Sequence, residues 1–183
     1  MSGTYYYYVA SLPLLIFDGK LPLSLDEFKD DCMRLLSDKD GNLIKNILED
    51  DFVQEEFLGE NKILDKWILF DRSLRNEWTF IRAHRLKKDP HMYFKGDRIP
   101  SAILSETLNQ ASKETNLIES EKIIDRLRWQ FLEDIVVGSH FSLSNIIVYA
   151  LQLKILDRYS KICSEETEEK AKNIFQLVEE IIC

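Results

Sequence analysis

With 183 residues, 45% of them hydrophobic and 31% charged, the chain is long enough to bury a core in one domain or two small helical subdomains, and wholesale disorder is not expected. Its formal net charge of −8 argues against general binding to nucleic acid or docking on an anionic membrane, because both need a basic footprint. An acidic chain of this kind suits basic protein partners or serves solubility.

The first segment, from Tyr5 to Leu15, is aromatic and apolar and is interrupted by Pro13. This pattern is compatible with a short strand or with a helical turn whose rings bury a large area. The segment lacks a basic leader and is followed by Asp18, so a signal peptide is not expected. No run approaches the roughly 20 apolar residues needed to span a bilayer, and a cytoplasmic protein is therefore predicted.

Ser24 begins the first clear helix. Its hydroxyl can cap the helix, and Glu27, three residues later, supplies the reciprocal half of a capping box. The helix is predicted to end near Ser37. Its inward positions follow helical spacing and are Phe28, Cys32, Leu35 and Leu36.

Residues 38–42 are predicted to form a turn, because Gly41 tolerates positive φ and the neighbouring aspartates can bond their own backbone. Two short helical pieces are predicted next, from Leu43 to Asp50 and from Asp51 to Leu58. Gly59 is expected to end them, since glycine is favoured just beyond the last residue of a helix.

The stretch from Asn61 to Lys88 predicts one long amphipathic helix. Asn61 is a suitable N-cap, and the helix must stop before Pro90, because the residue preceding a proline is disfavoured in helical geometry. Its apolar residues recur at spacings of three and four and so share one face. They are Ile63, Trp67, Phe70, Leu74, Trp78 and Ile81.

Residues 89–100 contain two prolines and a glycine and are the best candidate for a boundary. They divide the chain into halves 1–95 and 96–183, unless these form one continuous domain. The second half predicts helices over 101–112, over 120–137, from Ser142 or Ser144 to Cys163, and from Ser164 onward. No strand pattern occurs, so the predicted fold is all-α, a multi-helix bundle of one domain or two packed helical subdomains.

The long helix carries several arginines beside its apolar face. Arg75, Arg82 and Arg85 fall within one sector, and Asp71 can pair with Arg75 at a spacing of four. If this helix packs on the 120–137 helix, Arg75 or Arg82 can form bidentate hydrogen bonds to Asp125 or Glu133. The pattern favours either an inter-helix ionic network or a partner-binding patch. The candidate residues are Arg72, Arg75, Asn76, Arg82, Arg85, Asp125, Arg128 and Glu133.

The chain offers few patterns that indicate chemistry. Its six glycines are scattered rather than clustered as in a phosphate-binding loop. Its three cysteines have no metal-type spacing, and the histidines lack the spacing of a helical zinc site. Adjacent carboxylates along helices are typical of solvated faces, and no serine has the context of a nucleophile elbow. No catalytic, cofactor-binding or metal-binding residue is therefore predicted.

Three segments, taken in order, resemble one protein family. They are YYYYVASLPLL with SLDEFKDDCMRLLS, then FDRSLRNEWTFIRAHRLKKD, then DRLRWQFLEDIVVGSHFSLSNIIVYALQLKILDRYSKI, and they span about Tyr5 to Ile162. The family comprises helical proteins encoded within the V-type ATP synthase operons of some bacteria. The residues that carry the resemblance are Tyr6, Tyr7, Leu12, Pro13, Phe70, Arg72, Leu74, Arg75, Asn76, Arg85, Arg126, Trp129, Phe141, Tyr149, Leu153 and Arg158.

The chain is more distantly similar to the C-type subunit of V-type ATP synthases, whose eukaryotic counterpart is the d-type subunit. That all-helical socket couples the central stalk to the rotor ring, and its chains also open with a tyrosine-rich segment. This chain is much shorter than the three-lobed pattern of the socket family, so the resemblance does not imply a complete socket. No catalytic residue carries over.

The resemblance implies a non-catalytic subunit or an accessory or assembly factor of a bacterial V-type rotary ATPase, with subunits of the central stalk or rotor ring as partners. It implies no cofactor, nucleic acid or small-molecule substrate, and no direct membrane insertion. The location would be cytoplasmic, peripheral to the inner membrane through the complex. Two alternatives stay open: a helical adaptor or regulator unrelated to the ATPase, and an enzyme with a site near His84, Glu133 or His140.

Overall fold

The computed structural model describes residues 2–49, 54–96, 98, 101–138 and 141–162. Within these ranges the regular structure is helical and no strand is present, which confirms the all-α, multi-helix prediction. The α-helices of this part of the chain are α1 (Ser2–Ser11), α2 (Leu25–Leu35), α3 (Asp38–Leu48), α4 (Lys62–Arg85), α5 (Ala102–Lys113), α6 (Leu117–Val136) and α7 (Leu143–Ile162).

The chain folds into two compact units. One comprises residues 1–49 and 149–183, and the other comprises residues 50–148. The division therefore lies elsewhere than the boundary predicted near residue 95, which falls inside the second unit. The physical reason is that α4 packs against both α5 and α6, so the proline-containing segment after α4 connects helices that share a core.

The start of α2 follows the predicted capping box. The Ser24 hydroxyl accepts a hydrogen bond from the Glu27 backbone N–H, and the Glu27 carboxylate accepts one from the Ser24 N–H at 2.9 Å. These reciprocal bonds satisfy two backbone donors that the first turn of a helix otherwise leaves unpaired. Phe28 and Cys32 are buried as predicted, whereas Leu35 is exposed.

The turn predicted at residues 38–42 is wrong, because those residues form the first turn of α3. Ser37 caps this helix by accepting a hydrogen bond from the Asp40 backbone N–H. Gly41 is buried within the helix, and a Cβ there would lie 3.2 Å from Met33 Sδ of α2, which is tighter than an ordinary van der Waals contact. The glycine thus serves close packing of α3 on α2 rather than a positive φ.

Aromatic rings form much of the core of the first unit. Tyr8 of α1 stacks on Phe28 of α2 with ring centroids 6.3 Å apart, and Tyr149 of α7 lies 5.2 Å from the same Phe28 ring. The Tyr149 hydroxyl donates to the Pro13 carbonyl oxygen at 3.0 Å. The Tyr5–Leu15 segment is therefore helical up to Ser11, and the buried Tyr8 side chain packs this segment against the core of the first unit.

Helix α7 is apolar around most of its circumference. Its buried residues follow no single stripe, which is typical of a helix enclosed on several sides. They are Ile146, Ile147, Val148, Ala150, Leu151, Leu153, Ile155 and Leu156. None of the helices in the described ranges combines the length and the apolar character needed to cross a lipid bilayer.

In the second unit, α4 is the predicted long helix, capped by Asn61, whose side-chain oxygen accepts a hydrogen bond from the Ile63 N–H at 2.8 Å. Short 3-10 helices precede and follow it at Gln54–Phe57 and Pro90–Tyr93. The core shared by α4, α5 and α6 consists of Leu74, Ile81, Leu104, Leu108, Ala111 and Ile124. The helix predicted from Ser164 onward lies outside the described residues.

Candidate functional site

A buried ionic network joins α4 to α6. The Asp71 carboxylate accepts a hydrogen bond from Arg128 Nε at 2.9 Å, and its second oxygen lies 2.7 Å from an Arg75 guanidinium nitrogen. Arg128 also donates to Asp125 at 2.8 Å. The side chains of Asp71 and Asp125 are each 1% exposed and that of Arg128 is 16% exposed. One arginine thus links two buried carboxylates on different helices.

This network keeps its arginine charged. Burial by itself lowers the pKa of Arg128, but the charges of Asp71 and Asp125 and their hydrogen bonds outweigh it and raise the pKa above its ordinary value. Buried charges are tolerated only when they are paired and hydrogen-bonded in this way. The arrangement therefore fixes how α4 lies against α6 rather than presenting a reactive group.

The pairing differs from the one predicted. The sequence paired Arg75 or Arg82 with Asp125 or Glu133, whereas Arg128 holds Asp125 and Glu133 accepts a hydrogen bond from Trp129 Nε1 at 2.9 Å. The predicted Asp71–Arg75 pair is present. The choice among arginines depends on which side chain of α6 points toward α4, and helix spacing within one segment does not determine that.

Asn76 ties α4 to the chain that follows it. Its side-chain nitrogen donates to the Lys95 carbonyl oxygen at 3.0 Å, and its side-chain oxygen accepts from the Lys95 N–H at 3.0 Å. Asn76 is buried, so these two bonds satisfy both halves of its amide. Arg72 lies near the same segment, with a guanidinium nitrogen 3.8 Å from the position that a Cβ would take at Gly96.

The other two predicted arginines lie toward the end of α4. Arg82 is exposed, and its guanidinium carbon lies 5.8 Å from the centroid of the Trp78 ring. Arg85 donates a hydrogen bond to the Ser112 carbonyl oxygen, which lies in the last turn of α5. Arg85 therefore satisfies a carbonyl that a helix end leaves unpaired. The structure thus distributes the predicted arginines along α4 instead of gathering them into one cluster.

Glu77 is a buried charged residue that the sequence analysis missed. Both of its carboxylate oxygens accept hydrogen bonds from Arg98, at 2.7 and 3.0 Å, and one accepts a further bond from the Ser105 hydroxyl at 2.6 Å. Burial by itself raises the pKa of Glu77, but the bonds from Arg98 and Ser105 outweigh it and lower the pKa. A signal was available, because Glu77 lies between Leu74 and Ile81 on the apolar face.

A groove of about 920 Å³ opens beside this carboxylate, between the second half of α4 and helix α5. Its volume lies within the range of ligand-binding clefts in proteins. Phe80 and Ile81 supply apolar wall, and the Arg98 guanidinium stacks on Phe80 at 3.9 Å from the ring centroid. The remaining lining is polar and comprises Glu77, His84, Arg85, Ser105, Asn109, Ser112, Lys113, Glu114 and Thr115.

Among the described residues, no three His, Cys, Asp or Glu side chains come together in a way that could hold a metal ion. His84 lines the groove, and the ring of His91 lies edge-on to Phe94 at 5.4 Å. His140 lies outside the described residues. Cys32 is a buried free thiol next to the Tyr8 hydroxyl, and burial raises its pKa to about 11.

A family model described as a protein of unknown function (DUF2764) matches residues 100–182. The matched segment includes α5, α6 and α7 and therefore Asp125, Arg128 and Glu133, whereas Asp71 and Glu77 precede it. No curated protein and no solved structure gave a match to the chain.

Proposed function

We propose that this chain is a non-catalytic subunit or an accessory or assembly factor of a bacterial V-type rotary ATPase that acts at the central stalk or rotor ring. ATP hydrolysis and ion translocation would take place in other subunits. The chain would contribute a stiff helical body whose charged surfaces set the register of docking.

The proposal rests on the ordered resemblance of three segments to proteins encoded with V-type ATP synthases. Contacts within the fold support treating these segments as one pattern. Tyr149 of the third segment donates to Pro13 of the first, although 136 residues separate them. In the other unit, Phe70 of the second segment stacks on Phe131 of the third, with centroids 3.8 Å apart and planes 3° from parallel.

Buried charge pairs suit a mechanical role. A helix pair held only by apolar contacts can shift at modest cost, whereas a buried ion pair that slips leaves uncompensated charges in a region of low dielectric constant. The bonds of Arg128 to Asp71 and of Arg98 to Glu77 each join segments distant in sequence. Such pairs favour one packing of α4 with its neighbours, as a rigid coupling element requires.

A helical adaptor or regulator unrelated to the ATPase is the second candidate. Two arginines on α4 favour it, because Arg75 is 55% exposed and Arg82 is exposed as well. Exposed arginines are enriched among residues that anchor protein partners. In this case the chain, with its net charge of −8, would bind one basic partner, and the two arginines would lie among its acidic groups at the contact.

Gentle isolation of the V-type ATPase from native cells, by a tag on a stalk protein, tests the proposal. We expect the chain to copurify with the complex, and its deletion to reduce either complex assembly or ATP-driven ion pumping. The proposal fails if the chain is missing from the isolated complex and deletion leaves both assembly and pumping at their normal levels.

Charge reversal separates the two candidates. The paired change Arg75→Glu and Arg82→Glu should weaken recovery of the chain with the ATPase if α4 docks on it. The matched control is Arg34→Glu in α2, because Arg34 is also exposed and forms a surface pair. An adaptor unrelated to the ATPase would instead lose a different partner, with rotary activity unchanged.

A further inference from the structure

The α4–α5 groove combines a concave shape with a local excess of positive charge. Three cations, Arg85, Arg98 and Lys113, line it against two carboxylates, Glu77 and Glu114. Glu77 is held by two hydrogen bonds from Arg98, so its charge is compensated inside the groove wall. With Glu77 and Arg98 paired, Arg85 and Lys113 remain against Glu114, so the groove offers a ligand an excess of one positive charge.

The chain around the end of α4 is also basic; of this stretch His84, Arg85 and Arg98 line the groove, whereas Leu86 and Met92 lie outside its lining. Residues 82–98 contain six arginines and lysines against two aspartates, in a chain whose net charge is −8. Exposed apolar side chains occur in the same stretch, and among them Leu86 and Met92 are 68% and 79% exposed. Basic groups interleaved with exposed apolar ones are the complement of a segment that carries both carboxylates and apolar residues.

We propose that the α4–α5 groove binds an acidic, amphipathic segment of a partner protein, with apolar side chains of that segment against Phe80 and its carboxylates toward Arg85 and Lys113. A groove bounded by two helices suits a peptide that inserts one apolar face. A membrane is a less suitable occupant, because its surface is broad and these cations line a concavity. This inference does not depend on the ATPase assignment.

Phage display tests the proposal directly. A library of random 16-residue peptides is selected for binding to the immobilised full-length chain. We expect enrichment of peptides in which aspartate or glutamate alternates with leucine, isoleucine or phenylalanine at helical spacing. Failure to enrich any peptide, or enrichment of neutral or basic sequences, would overturn the proposal.

Two groove variants then locate the binding site. Lys113→Glu reverses a charge at the rim, and Asn109→Trp places a large ring in the groove from an exposed position on α5. By fluorescence anisotropy, each should weaken binding of the best selected peptide by about tenfold or more. The matched control, Lys66→Glu, changes an exposed lysine in the first half of α4 and should leave binding unchanged.

Circular dichroism establishes that each variant keeps its helical content, and a salt series adds an independent readout. Because the proposed contacts include exposed charges, affinity should fall as sodium chloride is raised. Equal binding by wild type and both groove variants would overturn the proposal. The proposal would also be overturned if the wild type cosedimented with phosphatidylglycerol vesicles and both groove variants did not, because that result would assign the surface to a membrane.

Discussion

Asp71 of α4 and Arg128 of α6 form a hydrogen-bonded ion pair across 57 positions of sequence, with 2.9 Å between the carboxylate oxygen and Nε. Asp71 also forms an ion pair with Arg75 on its own helix, and Arg128 also forms one with Asp125 on its own helix. The pair is thus the central link of a four-residue chain of alternating charges. Loss of Asp71 or Arg128 removes one ionic partner from a charged residue on each helix.

Asp71→Asn should destabilise the protein by about 2–4 kcal/mol, because Arg128 and Arg75 lose a carboxylate while Arg128 stays largely buried. Urea unfolding followed by far-UV circular dichroism measures the change. The control is Arg75→Ala, which removes a pair whose arginine is 55% exposed and should cost about 0–1 kcal/mol. Equal costs for the two variants would contradict a central role for the buried pair.

Glu77→Gln should make the free energy of unfolding less dependent on pH in the acidic range. The pKa of Glu77 is lowered from its ordinary value of 4.5, so its contribution to stability is fully present above 4.5 and is lost as the pH falls through the folded-state pKa. The free energy of unfolding of wild type should exceed that of the variant most near neutral pH, and the gap should narrow below 4.5.

Urea titrations at several pH values measure this gap. Glu106→Gln is the matched control, because Glu106 is an exposed glutamate on the same helix as Ser105. A gap between wild type and Glu77→Gln that stays constant from neutral pH to pH 3 would show that the carboxylate charge does not matter at this site.

Phe28→Ala should cost about 3–5 kcal/mol, because it removes a fully buried ring and leaves a cavity between neighbouring aromatic groups. The Phe28 ring lies against both Tyr8 and Tyr149. Thermal and urea unfolding measure the loss. Tyr7→Ala is the control on the preceding helix; Tyr7 is 76% exposed, and a comparable cost there would mean that ring burial is not the cause.

Lys154→Met should loosen the end of α3. The Lys154 ammonium donates to the carbonyl oxygens of Ile47 and Glu49 at 2.9 and 2.7 Å, where a helix end carries unpaired carbonyls and partial negative charge. Methionine keeps an apolar chain of similar length but removes the donor, at a cost of about 1–2 kcal/mol.

Amide hydrogen exchange measures this effect locally. Faster exchange is expected in the last turn of α3. Lys161→Met serves as control, since Lys161 forms a surface pair with Asp157 and is 66% exposed. Unchanged exchange at the end of α3 in Lys154→Met would contradict the capping role.

The sequence predicted best those elements whose ends are set by local chemistry. The capping box at Ser24 and the cap at Asn61 place the starts of α2 and α4, because each depends on groups only two or three residues apart. Gly41 was misinterpreted for the opposite reason. Its role is to let α3 approach α2 closely, and that is a tertiary requirement with no local signature.

In the candidate site, too, contacts within one helix could be predicted from the sequence, whereas contacts between helices could not. The Asp71–Arg75 pair follows from a spacing of four along one helix. The partner of Asp71 on α6 depends on how two helices cross, so Arg128 could be identified as charged but not as central. The position of Glu77 between Leu74 and Ile81 indicates that it is buried. That its ionic partner is Arg98, from the segment after α4, follows only from the tertiary packing.

The first unit is assembled from two stretches of chain that are made at different times. Residues 1–49 leave the ribosome roughly a hundred residues before Tyr149, whose ring and hydroxyl contact Phe28 and Pro13. Residues 50–148 form a unit of contiguous sequence. They can begin folding before α7, which completes the unit of α1, α2 and α3, has been synthesised. During synthesis, Phe28 and Pro13 therefore lack their contacts with Tyr149 until translation reaches α7.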